Sequence, residues 1–145
     1  MRVIENKNKV RDFYATVWNR HDKGAIPGLL HPEIVFRGSL GDEKHGHDGF
    51  TDYLDSVHAA LDDYRCTIDD MLAEGDKVFA KMTFEGRHRA QLMNIEATGR
   101  WVSWAGAALF HFKGGMIAQL WVLGDLLSLK TQLADPDRRN TPTSS

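Results

Sequence analysis

The stretch that decides the fold runs from residue 85 to residue 133 and reads EGRHRAQLMNIEATGRWVSWAGAALFHFKGGMIAQLWVLGDLLSLKTQL. Inside it, residues 101–112 and 116–123 are rich in aromatic and β-branched side chains, and a Gly-Gly pair at Gly114 and Gly115 stands between them. Runs of this kind around a glycine turn predict two antiparallel strands. The sequence therefore predicts a β-hairpin near the end of a domain.

Upstream of the hairpin, residues 64–73 and 78–88 have the same strand character and complete a four-stranded meander. Apolar residues at three- and four-residue steps predict amphipathic helices over residues 4–20 and 50–61, with a short helix over 25–30 between them. Residues 34–36 predict a short strand, and residues 38–46 an exposed loop. Three helices followed by a meander predict an α+β domain over residues 1–134, with a polar, flexible tail over 135–145.

The composition excludes several classes of protein. The chain has 145 residues, enough for one domain with a core. Its 18 Lys and Arg against 20 Asp and Glu give a net charge of -2, without a basic stripe for nucleic acid. A charged N-terminus and the lack of a long apolar run predict neither a signal peptide nor a membrane span. Cys66 is the only cysteine, so a reducing, cytoplasmic setting is expected.

Several landmark motifs occur in a characteristic order along residues 6–135. They are Phe13-Tyr14, Trp18-Asn19, Gly46 to Phe50, Gly86-Arg87-His88, Thr98-Gly99-Arg100, Phe110 to Ile117 and Trp121 to Leu133. In this order the chain resembles the SnoaL-like polyketide cyclase family of the nuclear-transport-factor-2-like superfamily. The resemblance implies a cone-shaped curved antiparallel sheet that encloses an apolar pocket with its helices, commonly in a homodimer or tetramer. It also implies cofactor-free aldol closure of an aromatic polyketide ester.

The resemblance fails at the residues that carry this chemistry. In the cyclases an Asp on the last strand moves the proton and a His on the neighbouring strand supports it; here the corresponding residues are Val122 and Ala108. A three-residue loop over 114–116 would place these two side chains opposite each other on one apolar face, with a gap at Gly106. A plain core explains that face as well as a cavity does; the resemblance favours a cavity of roughly 300 Å³ or more.

The residues predicted to bind the ligand are mainly aromatic, and each of them would also suit an ordinary core. They are Trp18, Phe36, Phe50, Tyr53, Met82, Phe84, Met93, Trp104, Ala108, Phe110 and Val122.

Two ionisable residues are the candidates for catalysis. Asp125 follows Gly124, and a bulge at that glycine would turn the carboxylate into the pocket mouth. Alternatively, Asp125 caps a short helix that begins at Leu126. His88 shares the alternation of Met82 and Phe84, which is consistent with an inward acid, base or donor. Alternatively, His88 is a surface histidine or a satisfied core histidine.

Neither a metal nor a cofactor is predicted. His45, His47 and Asp48 are residue types that bind metals, but they lie in a glycine-rich loop without a further partner nearby in the sequence.

The opposite face of the hairpin is apolar as well, which predicts a homodimer through the sheet. This face is formed by Trp101, Ser103, Ala105, Leu109, Ile117, Trp121 and Leu123.

Two hypotheses about function follow. The first is a cofactor-free enzyme of polyketide or related secondary metabolism that uses Asp125, His88 or both on a small hydrophobic, cyclic molecule. The second is a non-catalytic binding or accessory protein that has kept the pocket without the acid/base pair. Isomerase or epoxide-hydrolase chemistry is a further alternative, because a fold does not fix a function.

Overall fold

The computed structural model describes residues 2–134 and confirms the α+β class. The predicted tail over residues 135–145 lies outside the described residues. The elements in chain order are α1 Arg2–Asp12, continued by π-helical turns over Phe13–Trp18, a 3₁₀ turn Lys23–Ala25, α2 Ile26–Leu29, β1 Leu30–Arg37, β2 Glu43–His45, α3 Gly46–Ala60, β3 Leu61–Glu74, β4 Lys77–His88, β5 Trp101–Lys113, β6 Met116–Gly124 and α4 Leu126–Ala134.

All six strands belong to one sheet in the order β2-β1-β6-β5-β4-β3. The predicted meander from β3 to β6 is confirmed, while β1 joins β6 in parallel, so the sheet is mixed rather than purely antiparallel. The prediction of a loop over residues 38–46 is wrong in its last part, because Glu43–His45 pairs with β1. The three residues of Glu43–His45 are all polar, so they lack the alternation that predicts a strand. Their hydrogen-bond partners lie on the open edge of β1.

The hairpin of β5 and β6 has the predicted register at Ala108 and Val122, but its turn differs from the predicted one. Lys113 pairs with Met116, so the turn has two residues, and both glycines have positive φ, 60° and 78°. A β-bulge after His111 then adds one residue to β6 and places Ala108 opposite Val122. The predicted outer position of Ile117 is therefore wrong: Ile117 is fully buried in the core, whereas the next residue, Ala118, is only half-buried.

The core lies between the inner face of the sheet and the first and third helices. Rings from the three layers meet edge to face or tilted, with Phe13 5.7 Å from Phe50 and 5.8 Å from Phe110 between ring centroids. The end of the first helical segment is tied to β3 by Asn19. Its side-chain amide accepts from the Cys66 N–H at 2.7 Å and donates to the Cys66 carbonyl at 3.0 Å.

Helix α4 covers β5 beyond the end of β6. The Gln132 side chain donates to the Ser103 carbonyl at 2.7 Å and accepts from the Ser103 N–H at 3.0 Å, which replaces the missing strand partner. Arg100 donates to the carbonyls of Gln132 and Leu133 at the end of the helix. No helix within residues 2–134 is long and apolar enough to cross a bilayer.

Candidate active site

A small interior cavity lies among the first helix, α3 and the inner face of the sheet. Its lining consists of Tyr14, Trp18, Phe36, Ser39, Tyr53, Tyr64, Cys66, Phe84, Leu120 and Val122. The volume open to the centre of a water molecule is about 20 Å³, which is room for about one water. The expectation of roughly 300 Å³ is therefore wrong for this conformation.

The interior is closed because aromatic rings occupy the space that glycines leave. A Cβ atom on Gly106 would lie 2.3 Å from Cε2 of Phe84, and one on Gly38 would lie 2.4 Å from Cζ of Tyr53. The gap predicted at Gly106 exists in the sheet, but the Phe84 ring fills it. A ligand larger than a water therefore requires lining side chains to move.

The structure brings together some of the predicted ligand-binding residues: Trp18, Phe36, Tyr53, Phe84 and Val122 line the cavity. Phe50, Met82, Ala108 and Phe110 are buried in the surrounding core instead. Met93 lies in the loop between β4 and β5, half-buried, with a left-handed φ of 51°. Trp104 is buried beside the cavity, in ring contact with Phe84 and Tyr64.

Sequence reasoning missed five of the lining residues: Tyr14, Ser39, Tyr64, Cys66 and Leu120. Tyr14 precedes Trp18 by four residues and so shares its helix face, a signal that the sequence contained. Tyr64 and Cys66 alternate inward along β3. The position of Ser39, in the turn after β1, carried no comparable pattern.

The polar groups of the lining are hydroxyls and a thiol that burial keeps neutral. Burial raises the pKa of the Tyr14 and Tyr64 phenols well above 10, with a smaller contribution from Cys66. Burial also raises the pKa of Tyr53 and of the Cys66 thiol. The cavity therefore offers hydrogen-bond donors that carry no charge at physiological pH.

Two further polar groups lie near the turn that contains Ser39. The Tyr53 hydroxyl accepts a hydrogen bond from the Leu40 N–H at 3.2 Å. The indole Nε1 of Trp104 is buried and has no hydrogen-bond partner in the described part of the chain. A Cβ on Gly124 would lie 3.0 Å both from this nitrogen and from Cβ of Ser39. Trp104 and Ser39 are thus both close to Gly124, but only Ser39 lines the cavity.

Val122 and Ala108 form a buried apolar pair where the resemblance places the acid and its histidine. They are cross-strand partners with exposed fractions of 4% and 0%. The Arg37 side chain donates to the backbone carbonyl of Val122, so its guanidinium holds β1 to β6.

His88 is inward-facing and fully buried, but it does not line the cavity. Its Nδ1 accepts from the Thr98 N–H at 3.1 Å and is 2.9 Å from the Thr98 hydroxyl, which ties the end of β4 to the loop before β5. Its Nε2 has no hydrogen-bond partner of good geometry within residues 2–134. Burial lowers the pKa of His88 and favours the neutral imidazole.

Asp125 is exposed and caps α4. Its Oδ1 accepts from the Ser128 N–H at 3.1 Å, and its own N–H donates to the Ala105 carbonyl at 2.8 Å. Of the two alternatives for this residue, capping is the geometry that the structure shows. Asp125 and His88 are not brought together, and neither lines the cavity.

The histidines of the 43–48 segment have other partners. His45 contacts Glu43 at 3.0 Å, and His47 Nε2 hydrogen-bonds the Leu30 carbonyl at 2.8 Å. Among the residues that the structure describes, no group of three or more His, Cys, Asp or Glu is arranged to hold a metal ion.

Comparison with known proteins agrees with this architecture. The family model described as SnoaL-like polyketide cyclase matches residues 8–133. This chain belongs to that family. TsrD from Streptomyces laurentii is 31% identical with a TM-score of 0.80, and the match covers 90% of this chain and 96% of TsrD.

Two further solved structures extend the comparison of this SnoaL-like chain. AclR from Streptomyces galilaeus, provisionally a hydroxylase, is 25% identical with a TM-score of 0.79 over 94% of this chain and 86% of AclR. A provisional SnoaL-like polyketide cyclase from Jannaschia sp. CCS1 is 15% identical with a TM-score of 0.84 over 92% of this chain and 94% of its own, and it shows the fold alone. A search among curated proteins found no match.

Proposed function

We propose that this SnoaL-like protein binds a small hydrophobic, cyclic molecule between its helices and its sheet, as a non-catalytic binding or accessory protein of polyketide or related secondary metabolism. The observation that carries the proposal is the chemistry of the cavity lining. It combines aromatic and aliphatic side chains with neutral hydroxyls. The lining also includes Val122, at the position where the family resemblance places the acid of the cyclases. A lining of this kind suits apolar rings with a few polar atoms.

Binding requires the closed interior to widen, and Phe84 is the side chain best placed to allow it. Its ring lies over Gly106, which has no side chain of its own, and it contacts Trp104 at 5.6 Å between ring centroids. Rotation of this ring away from Gly106 would open space against the apolar Ala108–Val122 pair.

An NMR titration of the labelled protein with 2-naphthol tests the proposal. Amide shifts are expected at the lining residues, and Phe84→Trp, which overfills the gap, should abolish them. Phe79→Trp is the matched control, because Phe79 lies on the same strand with its side chain 40% exposed on the outer face. Shifts confined to the outer face, or equal loss in both variants, would contradict the proposal.

Cofactor-free acid/base catalysis by Asp125 or His88 has less support. The Asp125 carboxylate caps a helix at the surface. His88 is enclosed by the loop that it holds. Proton transfer to a ligand in the cavity would require one of these side chains to leave its present partner.

A homodimer through the outer face of the sheet is the second part of the proposal. Large apolar side chains are exposed there: Leu72, Phe79, Trp121 and Leu123, at 66%, 40%, 46% and 50%. Contact with a second copy of the chain would remove the apolar surface of these side chains from water. We further propose a cytoplasmic setting, which the single, buried and unpaired Cys66 supports.

A further inference from the structure

The turn between β1 and β2, residues 38–42, forms part of the cavity wall. Ser39 lines the cavity and is 6% exposed, whereas Gly41 and Asp42, two and three residues further on, are exposed to solvent. Within residues 2–134, Ser39 is the only lining residue that lies outside a helix or a strand. At this turn, therefore, a short stretch of irregular backbone separates the cavity from solvent.

Few hydrogen bonds hold the 38–42 turn against the rest of the protein. The turn closes on itself, because the Gly41 N–H donates to the Gly38 carbonyl at 3.0 Å and the Gly38 N–H to the Asp42 carbonyl at 3.3 Å. In the described part of the chain, one hydrogen bond joins it to an element outside the β1–β2 hairpin. The Leu40 N–H donates to the Tyr53 hydroxyl on α3 at 3.2 Å, and the Leu40 side chain is half-buried against the core.

The other walls of the cavity are held more firmly. The first helical segment, which carries Tyr14 and Trp18, is fixed by the two hydrogen bonds of Asn19 with Cys66 and by the His58 contact with the Trp18 carbonyl. Strands β3, β4 and β6 are tied into the sheet by their ladders. Opening at the turn breaks one neutral hydrogen bond and exposes part of one leucine side chain. It is therefore the opening that costs the least free energy.

We propose that the 38–42 turn is a lid, and that a ligand enters the cavity when the Leu40–Tyr53 hydrogen bond breaks and the turn lifts from α3. This inference rests on the proposed function and adds the route by which the ligand reaches its site. Rotation of Phe84 makes room inside the domain, whereas lifting of the turn opens a passage to solvent. Because the lid closes again over the ligand, it sets the rates of association and dissociation and leaves the affinity nearly unchanged.

A reversible crosslink between the turn and β6 tests the lid. The Cβ of Ser39 would lie 3.0 Å from a Cβ on Gly124, and a disulfide needs about 3.5–4.5 Å, so a shift of about 1 Å or less allows one. The double variant Ser39→Cys with Gly124→Cys fixes the turn when it is oxidised. The same protein reduced with dithiothreitol is the matched control, since it carries the same side chains, and Cys66 is buried away from the reaction.

Binding of 2-naphthol to both forms is followed by stopped-flow fluorescence. We expect the oxidised form to bind and to release the ligand at least about tenfold more slowly than the reduced form, with a similar affinity. In Tyr53→Phe, which removes the hydroxyl and keeps the ring, both rates should be about two- to tenfold faster than in the wild type. This factor is the weight of one neutral hydrogen bond.

Hydrogen exchange of the Leu40 amide in the wild-type protein tests the lid without a ligand. A local opening exposes little surface, so the exchange rate of this amide, followed by NMR, should not change with low concentrations of urea. Amides in the middle of β5 are the internal reference, because they exchange through global unfolding and should exchange faster as urea is added.

The outcomes separate the lid from the proposed function. Equal rates of 2-naphthol binding in the oxidised and reduced forms would overturn the lid and leave ligand binding in place. A Leu40 amide whose exchange rises with urea in parallel with β5 would do the same. If the double variant fails to fold or to crosslink, the exchange of Leu40 and the rates of Tyr53→Phe decide, and rates equal to those of the wild type overturn the lid. Failure of 2-naphthol to bind the wild type would overturn both.

Discussion

Ala108 and Val122 lie directly opposite each other on β5 and β6 with their side chains buried on the inner face of the sheet. The β-bulge after His111 creates this alignment. Neither side chain can accept or donate a proton. At the point where the family resemblance places an acid and a histidine, the interior of this protein is therefore a contact between two aliphatic groups.

An acid placed at this position would be strongly disfavoured in its charged form. Val122→Asp should lower the free energy of unfolding by about 2–5 kcal/mol at pH 7. Burial raises the pKa of the new carboxyl above the value of about 4 that it has in the unfolded chain. The loss of unfolding free energy should therefore be smaller at pH 4 and should grow as the pH rises above about 4. Urea denaturation at both pH values measures it. Val122→Asn is the neutral control; if Asp cost no more than Asn at pH 7, water would reach this position.

Phe84 and Gly106 should be energetically coupled. Gly106→Ala places a methyl group against the Phe84 ring and should cost about 1–3 kcal/mol through overpacking. In a Phe84→Leu background the ring is gone, and the same change should cost at least about 1 kcal/mol less. The Leu123 carbonyl oxygen, which would lie 3.0 Å from the added methyl group, limits this relief. A double-mutant cycle by urea denaturation measures the coupling, and additive effects would show that the ring moves aside freely.

Asp125 should behave as a helix cap. Asp125→Ala removes the acceptor of the Ser128 N–H and should cost about 1 kcal/mol of unfolding free energy. Asp125→Asn should stay close to wild type, because asparagine caps a helix as well as aspartate does. Equal destabilisation by Ala and Asn would mean that the charge of the carboxylate, and not its capping geometry, is what matters.

His21 and His58 stack face to face, with ring centroids 4.1 Å apart and an interplanar angle of 4°. His58 Nε2 hydrogen-bonds the Trp18 carbonyl at 2.8 Å, and His21 contacts Asp55 at 2.7 Å. Partial burial, and next the positive charge of His21, lower the pKa of His58. The folded protein therefore takes up a proton at His58 less readily than the unfolded chain.

The stability of the protein should consequently fall as the pH is lowered from about 7.5 to about 5.5, through the ordinary histidine pKa near 6.5. His58→Gln keeps an N–H donor for the Trp18 carbonyl and should make this fall smaller, as measured by urea denaturation across the range. Buried His88, whose pKa is also lowered, accounts for a part of the fall that persists. His45→Gln, at an exposed position on β2, is the control; identical pH profiles of wild type and His58→Gln would contradict the prediction.

The outer face of the sheet should hold two copies together. The double variant Trp121→Lys with Leu123→Glu should convert a dimer to a monomer in analytical ultracentrifugation at micromolar concentration, since a stable interface of at least about 1,200 Å² would be interrupted by buried charges. Ile4→Lys, on an exposed part of α1, is the control and should leave the mass unchanged. A wild-type protein that sediments as a monomer would contradict the proposal.

The sequence predicted the elements in which the pattern of side chains within the element itself identifies the buried face. The alternation along β4 and β5 and the helical spacing around Trp18 mark their buried faces directly. β2 was missed because its pairing depends on the edge of another strand. The position of the bulge in β6 was not predicted. Ile117 and Ala118 are both apolar, so the sequence does not indicate which of the two side chains points into the core.

Some of the predicted lining residues surround one small void, but the predicted cavity of roughly 300 Å³ is not present. Trp18, Phe36 and Tyr53 are core-facing by their spacing, and the structure does place them around one void. How much of that void stays open depends on the rotamers of Phe84 and Tyr53 over two glycines, and no sequence pattern fixes a ring rotation. Tyr64 and Cys66 share one inward alternation, but the register shifts at 62/65 and 68/70 keep this alternation from running the length of β3.

The hydrogen bonds between Asn19 and Cys66 have a consequence for the behaviour of the protein at high concentration. β3 is the outermost strand of the sheet, where unpaired N–H and C=O groups would invite a strand from another molecule. The Asn19 amide already occupies both backbone groups of Cys66, so an incoming strand cannot continue its ladder past this point. One side chain from the first helical segment thereby blocks strand addition at this point of the sheet edge.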